Sequence, residues 1–269
     1  MLYPSITSHD ILRCANGILS IEHGNTPVEM AVRLTVNAET WLEFMCTPEF
    51  LEALAIGFLF NECLIKSASE IEQIRVCPEG DNVDVWTTHP IEKPVHWKRT
   101  SGCTGGFTAR GVDSKPDHAV LQAAPISLSE PFDAKTLTSS QINELVTQLF
   151  RMQRLKRQSG GIHVSAVSDG RALLLSCEDI GRHNTLDKLA GRILLENIIE
   201  PRHVVLTSGR ISSEMLQKAA YIGALVVVSL TAPTSLAVRL AEHWGMTLIG
   251  YAHGEHFKIY THPERIEAL

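Results

Sequence analysis

The chain has 269 residues, a formal net charge of −6, 44% hydrophobic residues and 20% charged residues. Such a composition is typical of a globular protein with a sizeable core, and its acidic balance gives no general reason to expect nucleic-acid binding. The first residues lack the pattern of a signal peptide, and the longest apolar run, 219–230, is too short to span a bilayer. Six irregularly spaced cysteines without a Cys-x-x-Cys pair favour a reducing cytoplasm over a disulfide framework.

Residues 1–135 are predicted to form a smaller, β-rich N-terminal domain with one main helix. Alternation and β-branched residues predict strands at 28–36, 40–46, 74–76 and 83–86. Thr47, Pro48 and Glu49 are typical of a helix start, with a hydroxyl cap and an early proline. Residues 98–118, rich in glycine, hydroxyl and charged side chains, show neither period and predict a long mobile loop.

Residues 136–269 are predicted to form an α/β domain, after a linker at 125–138. Thr138 has capping-box spacing to Gln141, and Asp169-Gly170 predicts a hairpin. Strands and helices then alternate, which favours a three-layer α/β/α domain with a mixed, mostly parallel sheet, so the whole chain is of the α+β class. These segments are 171–177, 184–196, 203–207, 212–222, 224–230 and 234–244, with strands at 246–251 and 256–260.

One cysteine differs from the others in its sequence surroundings. Cys103 lies in 98–110, a segment with three glycines, three flanking cations and no acidic residue before Asp113. Nearby positive charge lowers the pKa of a thiol, and glycines let a loop approach a partner closely. Packing in or beside an apolar run or strand is the default for the other cysteines: Cys14, Cys46, Cys63, Cys77 and Cys177. Cys103 is therefore the candidate nucleophile or sulfur carrier.

Three successive strand-to-helix loops carry polar side chains. They span 178–184, 207–213 and 231–235, and strands running in one direction bring them to one sheet edge, where α/β proteins bind ligands. Each loop precedes a helix whose free N–H groups favour an anion, and Arg182 and Arg210 add donors suited to phosphate. Ordinary helix capping would explain one such loop. Three aligned loops favour a phosphorylated ligand.

Metal and hydrolase motifs find little support. His262-Pro263-Glu264 matches half of a zinc-deaminase signature, but the Pro-Cys-x-x-Cys half is absent, and no other spacing is typical of zinc. Neither a Gly-x-x-x-x-Gly-Lys loop nor a Gly-x-Ser-x-Gly elbow occurs. Glu178 and Asp179 resemble an acid/base pair, yet neighbours on a strand face opposite sides, so capping or backbone positioning is at least as well supported.

The longest polar run carries a family resemblance. Residues 178–188, reading EDIGRHNTLDK, resemble the signature of the FdhD/NarQ family, the formate dehydrogenase accessory sulfurtransferases. Further matching segments are Cys46-Thr47-Pro48, 54–59, Ser208-Gly209-Arg210, Glu214-Met215, 217–220, 232–237 and 257–265. The likeness covers nearly the whole chain.

The resemblance implies a cytosolic sulfur carrier. In this family a cysteine desulfurase loads sulfur as a persulfide onto a loop cysteine, which matches Cys103. The sulfur then passes to the molybdenum (or tungsten) of a bis-molybdopterin guanine dinucleotide cofactor, before insertion of that cofactor into formate dehydrogenase. The resemblance also implies a homodimer and a C-terminal domain with a cytidine-deaminase-like fold, without the zinc site.

The resemblance further assigns residues to cofactor binding. The matching stretch consists of Phe257, Lys258, Ile259, Tyr260, Thr261 and His262. The motif and the three-loop argument together add Arg182, His183, Asn184, Ser208, Gly209 and Arg210. Many family members carry Cys-x-x-Cys in the loop of Cys103, but this chain has Gly106 at the second position. Persulfide relay needs one thiol; the alternative is a cofactor-binding chaperone that has lost sulfur transfer.

Overall fold

The fold is taken from a computed structural model, which describes residues 3–95, 98–99, 107–108, 137–199 and 203–267. The strands in these ranges are β1 (Ile6–Ala15), β2 (Ile18–Pro27), β3 (Met30–Val36), β4 (Glu39–Cys46), β5 (Ile71–Val76), β6 (Asn82–Thr87), β7 (Lys98–Arg99), β8 (Phe107–Thr108), β9 (Leu137–Thr138), β10 (His163–Ser168), β11 (Leu173–Asp179), β12 (Val204–Thr207), β13 (Val226–Ser229), β14 (Thr247–His253), β15 (His256–Thr261) and β16 (Ile266–Glu267). The α-helices are α1 (Leu51–Asn61), α2 (Ser139–Met152), α3 (Arg154–Ser159), α4 (Arg182–Leu195), α5 (Ser213–Ile222) and α6 (Ser235–His243).

The C-terminal part contains a six-stranded mixed sheet with the order β11-β10-β12-β13-β14-β15. The predicted class and the mixed sheet are confirmed. Fewer strand pairs of this sheet are parallel than expected. Only β12–β13 and β13–β14 are parallel, and the other pairs are antiparallel. Short turns can join only antiparallel strands, and both ends of this sheet are hairpins.

Alternate residues of the central strands pack on opposite faces of this sheet. Val205 and Val227 belong to the core covered by α4, α5 and α6. Val204 and Val226 belong to the core on the other face, which α2 covers. The three-layer α/β/α arrangement is therefore confirmed, and the cytidine-deaminase likeness stays a prediction.

The N-terminal part contains a four-stranded sheet with the order β4-β3-β6-β5, and α1 shares its core. Helix α1 also packs tightly on α4 of the other part. A Cβ at Gly57 would lie 1.7 Å from the Asp187 carbonyl oxygen, and one at Gly191 would lie 1.9 Å from that of Ala53. The two backbones are thus in direct contact at these glycines. The division into domains at residue 135 stays a prediction.

Most predicted elements are confirmed, but the start of α1 is wrong. The helix begins at Leu51, after Phe50 in the left-handed region at φ 53°. The Thr47 hydroxyl instead accepts a hydrogen bond from the Ile180 N–H, because this segment is held by a distant loop. In contrast, Thr138 caps α2 with the predicted capping box.

No sequence pattern predicts the hairpin of β1 and β2, which pair along their full length. We call residues 6–27 the arm. Its base is fixed by a hydrogen bond from the Val28 N–H to the Ser5 carbonyl and by one from the Ser5 hydroxyl to Glu49. Nearly all of its side chains are exposed. No α-helix in the described ranges is long and apolar enough to cross a membrane.

Candidate functional site

The three polar loops emerge at the same sheet edge. We name them the first loop (178–184), the second loop (207–213) and the third loop (231–235). Strand β10 is antiparallel to both β11 and β12, and β13 is parallel to β12, so β11, β12 and β13 run in one direction. The predicted alignment of the loops is therefore confirmed.

Direct contacts join each loop to the next. A Cβ at Gly209 would lie 2.9 Å from the Arg182 Cβ, so the second loop touches the start of α4. Ile211 and Pro233 form a parallel bridge between the second and third loops. The Ser229 hydroxyl, at the end of β13, donates to the Gly209 carbonyl at 2.8 Å. The loops form one continuous edge, which we call the loop edge.

Glu178 and Asp179 do face opposite sides, as predicted. The Glu178 carboxylate accepts hydrogen bonds from the Leu155 N–H at 2.8 Å and from the Lys156 N–H at 3.0 Å. These N–H groups lie in the first turn of α3, where a carboxylate is stabilised. Glu178 thus positions backbone, and the two acids do not form an acid/base pair.

Asp179 forms a fully buried ion pair with Lys188 beneath the first loop. Its Oδ2 accepts from the Lys188 Nζ at 2.6 Å and from the Thr47 N–H at 3.1 Å. Its Oδ1 accepts from the Gly181 N–H at 2.7 Å and from the Asn184 Nδ2 at 2.9 Å. Burial alone lowers the pKa of Lys188, but the Asp179 carboxylate outweighs burial and raises it. Lys188 therefore stays charged, and the pair fixes the first loop.

A second buried ion pair connects α4, α5 and α1. The Lys218 Nζ lies 2.7 and 2.6 Å from the two carboxylate oxygens of Asp187. The Asn61 Nδ2, at the end of α1, donates to the same carboxylate at 2.7 Å. Since these groups are almost fully enclosed, each depends on the others for its hydrogen bonds.

This network extends to the segment that carries Cys103. Strands β7 and β8 pair with each other, so the predicted long loop begins as a short hairpin stem. The Thr108 hydroxyl in β8 donates a hydrogen bond at 3.1 Å to the carboxylate of Glu62, which is the residue after Asn61. The stem is thus tied to the end of α1. Cys103 and Gly106 themselves lie outside the described residues.

The predicted residues on the loop edge differ in what they do. Asn184 is buried and donates to Asp179 and to the Met45 carbonyl, so it is part of the scaffold. The Ser208 hydroxyl accepts from the Val164 N–H at 3.0 Å and keeps its own proton to donate. Arg182 and Ser208 are buried, whereas Arg210 is exposed.

His163 also belongs to this edge, although no sequence motif marks it as a site residue. It lies opposite Asp179 at the start of β10, and its Nδ1 is 3.4 Å from the Ser208 hydroxyl. Burial and then the Arg182 and Lys156 cations lower its pKa. The Asp169-Gly170 hairpin places His163 opposite Asp179, but no local motif indicates that β12 pairs with β10 and brings Ser208 beside it.

His183 is a second histidine held neutral. Burial lowers its pKa well below the ordinary value, and Lys218, Arg182 and His163 add to that effect. Burial is the main cause of the lowered pKa in both histidines, and the cations that add to it, Arg182 among them, make this part of the edge positively charged. A phosphate or another anion is the ligand that such an edge stabilises.

The segment 257–262 lies along β15, the edge strand of the sheet. Near the third loop, a Cβ at Gly250 would contact the Tyr260 ring at 3.0 Å and the Pro233 ring at 3.1 Å. Lys258 places its ammonium 4.6 Å from the centre of the Tyr251 ring. Phe257 is partly buried and Ile259 is exposed. This part of the segment adjoins the loop edge.

The other end of that segment points away from the loops. The Thr261 hydroxyl donates to the Met246 carbonyl at 2.7 Å, at the start of β14. The His262 Nδ1 lies 2.9 Å from the Glu264 carboxylate. Burial lowers the pKa of His262, but hydrogen bonds to the Glu242 carbonyl and to Glu264 outweigh burial and raise it. The predicted residues therefore do not gather in one place.

The other described cysteines differ in whether they could supply a second reactive thiol besides Cys103. Burial raises the pKa of Cys46 to about 12 and that of Cys177 to about 11, so both remain protonated and unreactive. Cys63 and Cys77 are partly buried. Packing was the wrong expectation for Cys14, which is exposed because the arm has no core face.

The fold and the loop edge define a three-layer α/β protein with an anion-suited site at its strand ends. A model of the FdhD/NarQ family matches residues 27–267, and the chain belongs to that family. A sulfur carrier protein FdhD from Bacillus licheniformis is 34% identical over 263 residues, 97% of each chain. One from Bacillus subtilis (strain 168) is 33% identical over 259 residues, 96% of each chain.

A solved structure agrees with this assignment. The crystal structure of a candidate formate dehydrogenase accessory protein from Desulfotalea psychrophila matches with a TM-score of 0.76 and 28% sequence identity. The match covers 98% of this chain and 100% of that chain. The similarity therefore extends over both the four-stranded and the six-stranded sheet.

Proposed function

We propose that the protein is a cytoplasmic sulfur carrier for a formate dehydrogenase, with Cys103 as the thiol that bears the sulfur. Family membership, the names of the relatives and the accessory role named for the similar structure support this role. The cations that flank Cys103 in sequence favour its thiolate, which is the reactive form.

The loading step exchanges one S–S bond for another. The Cys103 thiolate attacks the terminal sulfur of a persulfide on a cysteine desulfurase. The S–S bond of the desulfurase breaks, its cysteine leaves as a thiolate, and Cys103 becomes the persulfide. No electrons are gained or lost overall, so loading requires neither an oxidant nor a second cysteine at position 106.

The acceptor in this proposal is the metal of a bis-molybdopterin guanine dinucleotide, which is cargo rather than a resident cofactor. The terminal sulfur has oxidation number zero, so two electrons from the reduced metal centre turn it into sulfide, and Cys103 leaves as a thiolate. The loop edge suits the phosphates of this cargo, with Arg182, Arg210 and the Ser208 hydroxyl as donors. Lys258 and Tyr260 adjoin it along β15.

One observation carries the proposal beyond family likeness. The stem of the Cys103 segment is tied through Thr108 and Glu62 to the end of α1. The neighbouring Asn61 binds Asp187, within the signature run that continues from the first loop. The described stem of the Cys103 segment is thus linked to the signature run, which supports the proposal that this segment and the loop edge act together.

Gly106 favours one alternative, a chaperone that binds the cofactor without moving sulfur. A complementation test distinguishes the two functions: variants are expressed in a strain that lacks the native protein, and its formate dehydrogenase activity is measured. The sulfur carrier predicts that Cys103→Ala abolishes complementation, while Cys14→Ala, a change at an exposed thiol on the arm, preserves it. Full complementation by Cys103→Ala would establish the chaperone instead.

The cargo site has a separate test by binding. Guanosine diphosphate, titrated calorimetrically, supplies the nucleotide part of the cargo. Arg210→Ala is expected to weaken binding about tenfold or more, since a charge-assisted hydrogen bond is lost. Arg171→Ala removes an exposed cation from the hairpin turn at the opposite sheet edge and is expected to leave affinity unchanged. Equal effects would show that only the overall charge matters.

A further inference from the structure

His163 lies between the first loop and the second loop of the loop edge. It begins β10, and the neighbours of β10 in the sheet are β11 and β12, which lead into those two loops. The His163 backbone is opposite Asp179 of the first loop, and its Nδ1 is 3.4 Å from the Ser208 hydroxyl of the second loop. The side chain is only partly buried, so a ligand at the loop edge has access to the imidazole.

The two carboxylates of the first loop are occupied by other partners. Asp179 binds Lys188 and the Gly181 N–H. Glu178 accepts hydrogen bonds from the first turn of α3. Among the residues that the structure describes, neither carboxylate forms a hydrogen bond or an ion pair with the His163 imidazole. Within this part of the chain, a positive charge on the ring therefore has no paired counterion until a ligand supplies one.

The charges around His163 keep its ring neutral in the free protein. Burial has the largest effect on its pKa, and Arg182 and Lys156 lower that pKa further. Asp179 acts in the opposite direction but with a smaller effect. His183, the other neutral histidine of the loop edge, is almost fully enclosed, which leaves His163 as the more accessible of the two rings.

An anion bound at the loop edge reverses this balance. A phosphate beside Arg182 and Lys156 offsets the repulsion between these cations and a protonated imidazole. A phosphate oxygen also accepts a charge-assisted hydrogen bond from the protonated ring, which is stronger than one from the neutral ring. Both effects favour the imidazolium, so the ring gains a proton from solvent when the anion arrives.

The Ser208 hydroxyl couples to the same proton. It accepts a hydrogen bond from the Val164 N–H at 3.0 Å, so its own proton is left for the His163 Nδ1 or for a ligand. A neutral ring accepts that proton at Nδ1, whereas a protonated ring does not, because both of its nitrogens are donors. Protonation of His163 therefore redirects the Ser208 hydroxyl, and the anion then meets two donors instead of none.

We propose that His163 contacts the anion bound at the loop edge and takes up one proton from solvent as that anion binds, which makes His163 a specificity-determining residue of the proposed cargo site. This inference rests on the proposed function, because the anion is the phosphate part of the proposed cargo. The loop edge discriminates in this way against uncharged ligands, which leave the ring neutral and the Ser208 hydroxyl engaged with it.

Calorimetric titration of the full chain with guanosine diphosphate mannose tests this proposal. The pyrophosphate of this probe is esterified at both ends, so the probe itself does not titrate near neutral pH. Measurements at pH 6.5 in two buffers of different ionisation enthalpy give the number of protons taken up. The wild type is expected to take up about half a proton or more per ligand, and its affinity to rise about threefold or more from pH 8 to pH 6.

Two variants show whether His163 is the group that gains the proton. His163→Gln keeps a hydrogen-bonding side chain that does not titrate, and it is expected to take up less than about 0.1 proton and to change affinity less than about twofold over the same pH range. The matched control His9→Gln removes an exposed histidine from the arm and is expected to behave as the wild type does. Binding without proton uptake, or equal uptake in His163→Gln, would overturn the inference and leave the cargo site intact. A wild type that does not bind the probe would overturn both.

Imidazole NMR of the wild type makes the test independent of how well the variants fold. The His163 ring is expected to titrate at a higher pH with the probe bound than without it, and its Nδ1 to carry a proton in the complex at pH 6. A merely structural His163 that only positions Ser208 would titrate at the same pH in both states, and that result would overturn the proposal.

Discussion

The loop edge and the arm both contain ion pairs, but the pair beneath the loop edge is buried and the pair on the arm is exposed to solvent. Lys188 and Asp179 are completely enclosed, and each has further hydrogen bonds that fix the first loop. Arg13 and Glu22 on the arm remain 62% and 43% exposed, so water screens their attraction. The same chemistry therefore builds a rigid site in one region and leaves a solvated surface in the other.

This contrast changes how the signature run is understood. Its acids and its lysine mostly hold backbone or each other, which makes them scaffold rather than ligands for cargo. Arg182 and His183 begin α4, next to the second loop, where a bound anion would lie. A conspicuous polar motif thus contains a few binding groups and a larger set of positioning groups.

The largest expected effect comes from breaking the buried pair. Lys188→Met keeps the length of the side chain and leaves Asp179 charged and uncompensated, which costs about 3–5 kcal/mol of unfolding free energy. The matched change on the arm, Arg13→Met, is expected to cost less than about 0.5 kcal/mol. Urea unfolding measures both. Similar losses would erase the distinction between the two regions.

The next effect concerns the contact between α1 and α4 beneath the loop edge. Gly57→Ala places a methyl group 1.7 Å from the Asp187 carbonyl oxygen, so the helices must separate, at a cost of about 2 kcal/mol or more. Gly161→Ala, near the base of the arm, meets only Pro27 at 3.5 Å and is expected to be nearly neutral. Thermal unfolding compares the two, and a neutral Gly57→Ala would contradict the close crossing.

The smallest effect is a pH dependence of the loop edge. The folded pKa of His183 is depressed, so the unfolded chain binds a proton that the folded chain does not. Stability is then present above the ordinary histidine pKa and declines as pH falls below it, by at most about 1.4 kcal/mol per pH unit. His183→Gln is expected to flatten this decline between pH 7 and 5, and His163→Gln to flatten it less. If neither variant changes the slope of stability against pH, the two histidines are not held neutral in the folded protein.

The sequence correctly predicted those elements that depend on residues close together in the chain. The capping box of Thr138 and the Asp169-Gly170 turn depend on neighbours in sequence, and both are present. The shared direction of β11, β12 and β13 followed from the alternation of strands and helices. The opposite orientation of Glu178 and Asp179 followed from the strand period alone.

Other features depend on contacts that a local reading does not reveal. Lys188 and Lys218 resemble ordinary exposed helix lysines, and only the packing of α1 on α4 and α5 encloses them. Thr47 has the signature of a helix cap but is recruited by Asp179. The arm has adjacent apolar pairs, such as Ile11-Leu12, rather than clean alternation, because neither face packs on a core.

The central claim is that Cys103 carries the sulfur, and mass spectrometry of the intact protein tests it most directly. After incubation with a cysteine desulfurase and cysteine, the wild type is expected to gain about 32 Da, the mass of one sulfur atom, and the adduct to map to Cys103. Cys103→Ala is expected to gain nothing, while Cys14→Ala gains the same mass as the wild type. A wild type without the adduct, or an adduct that persists in Cys103→Ala, would contradict the account.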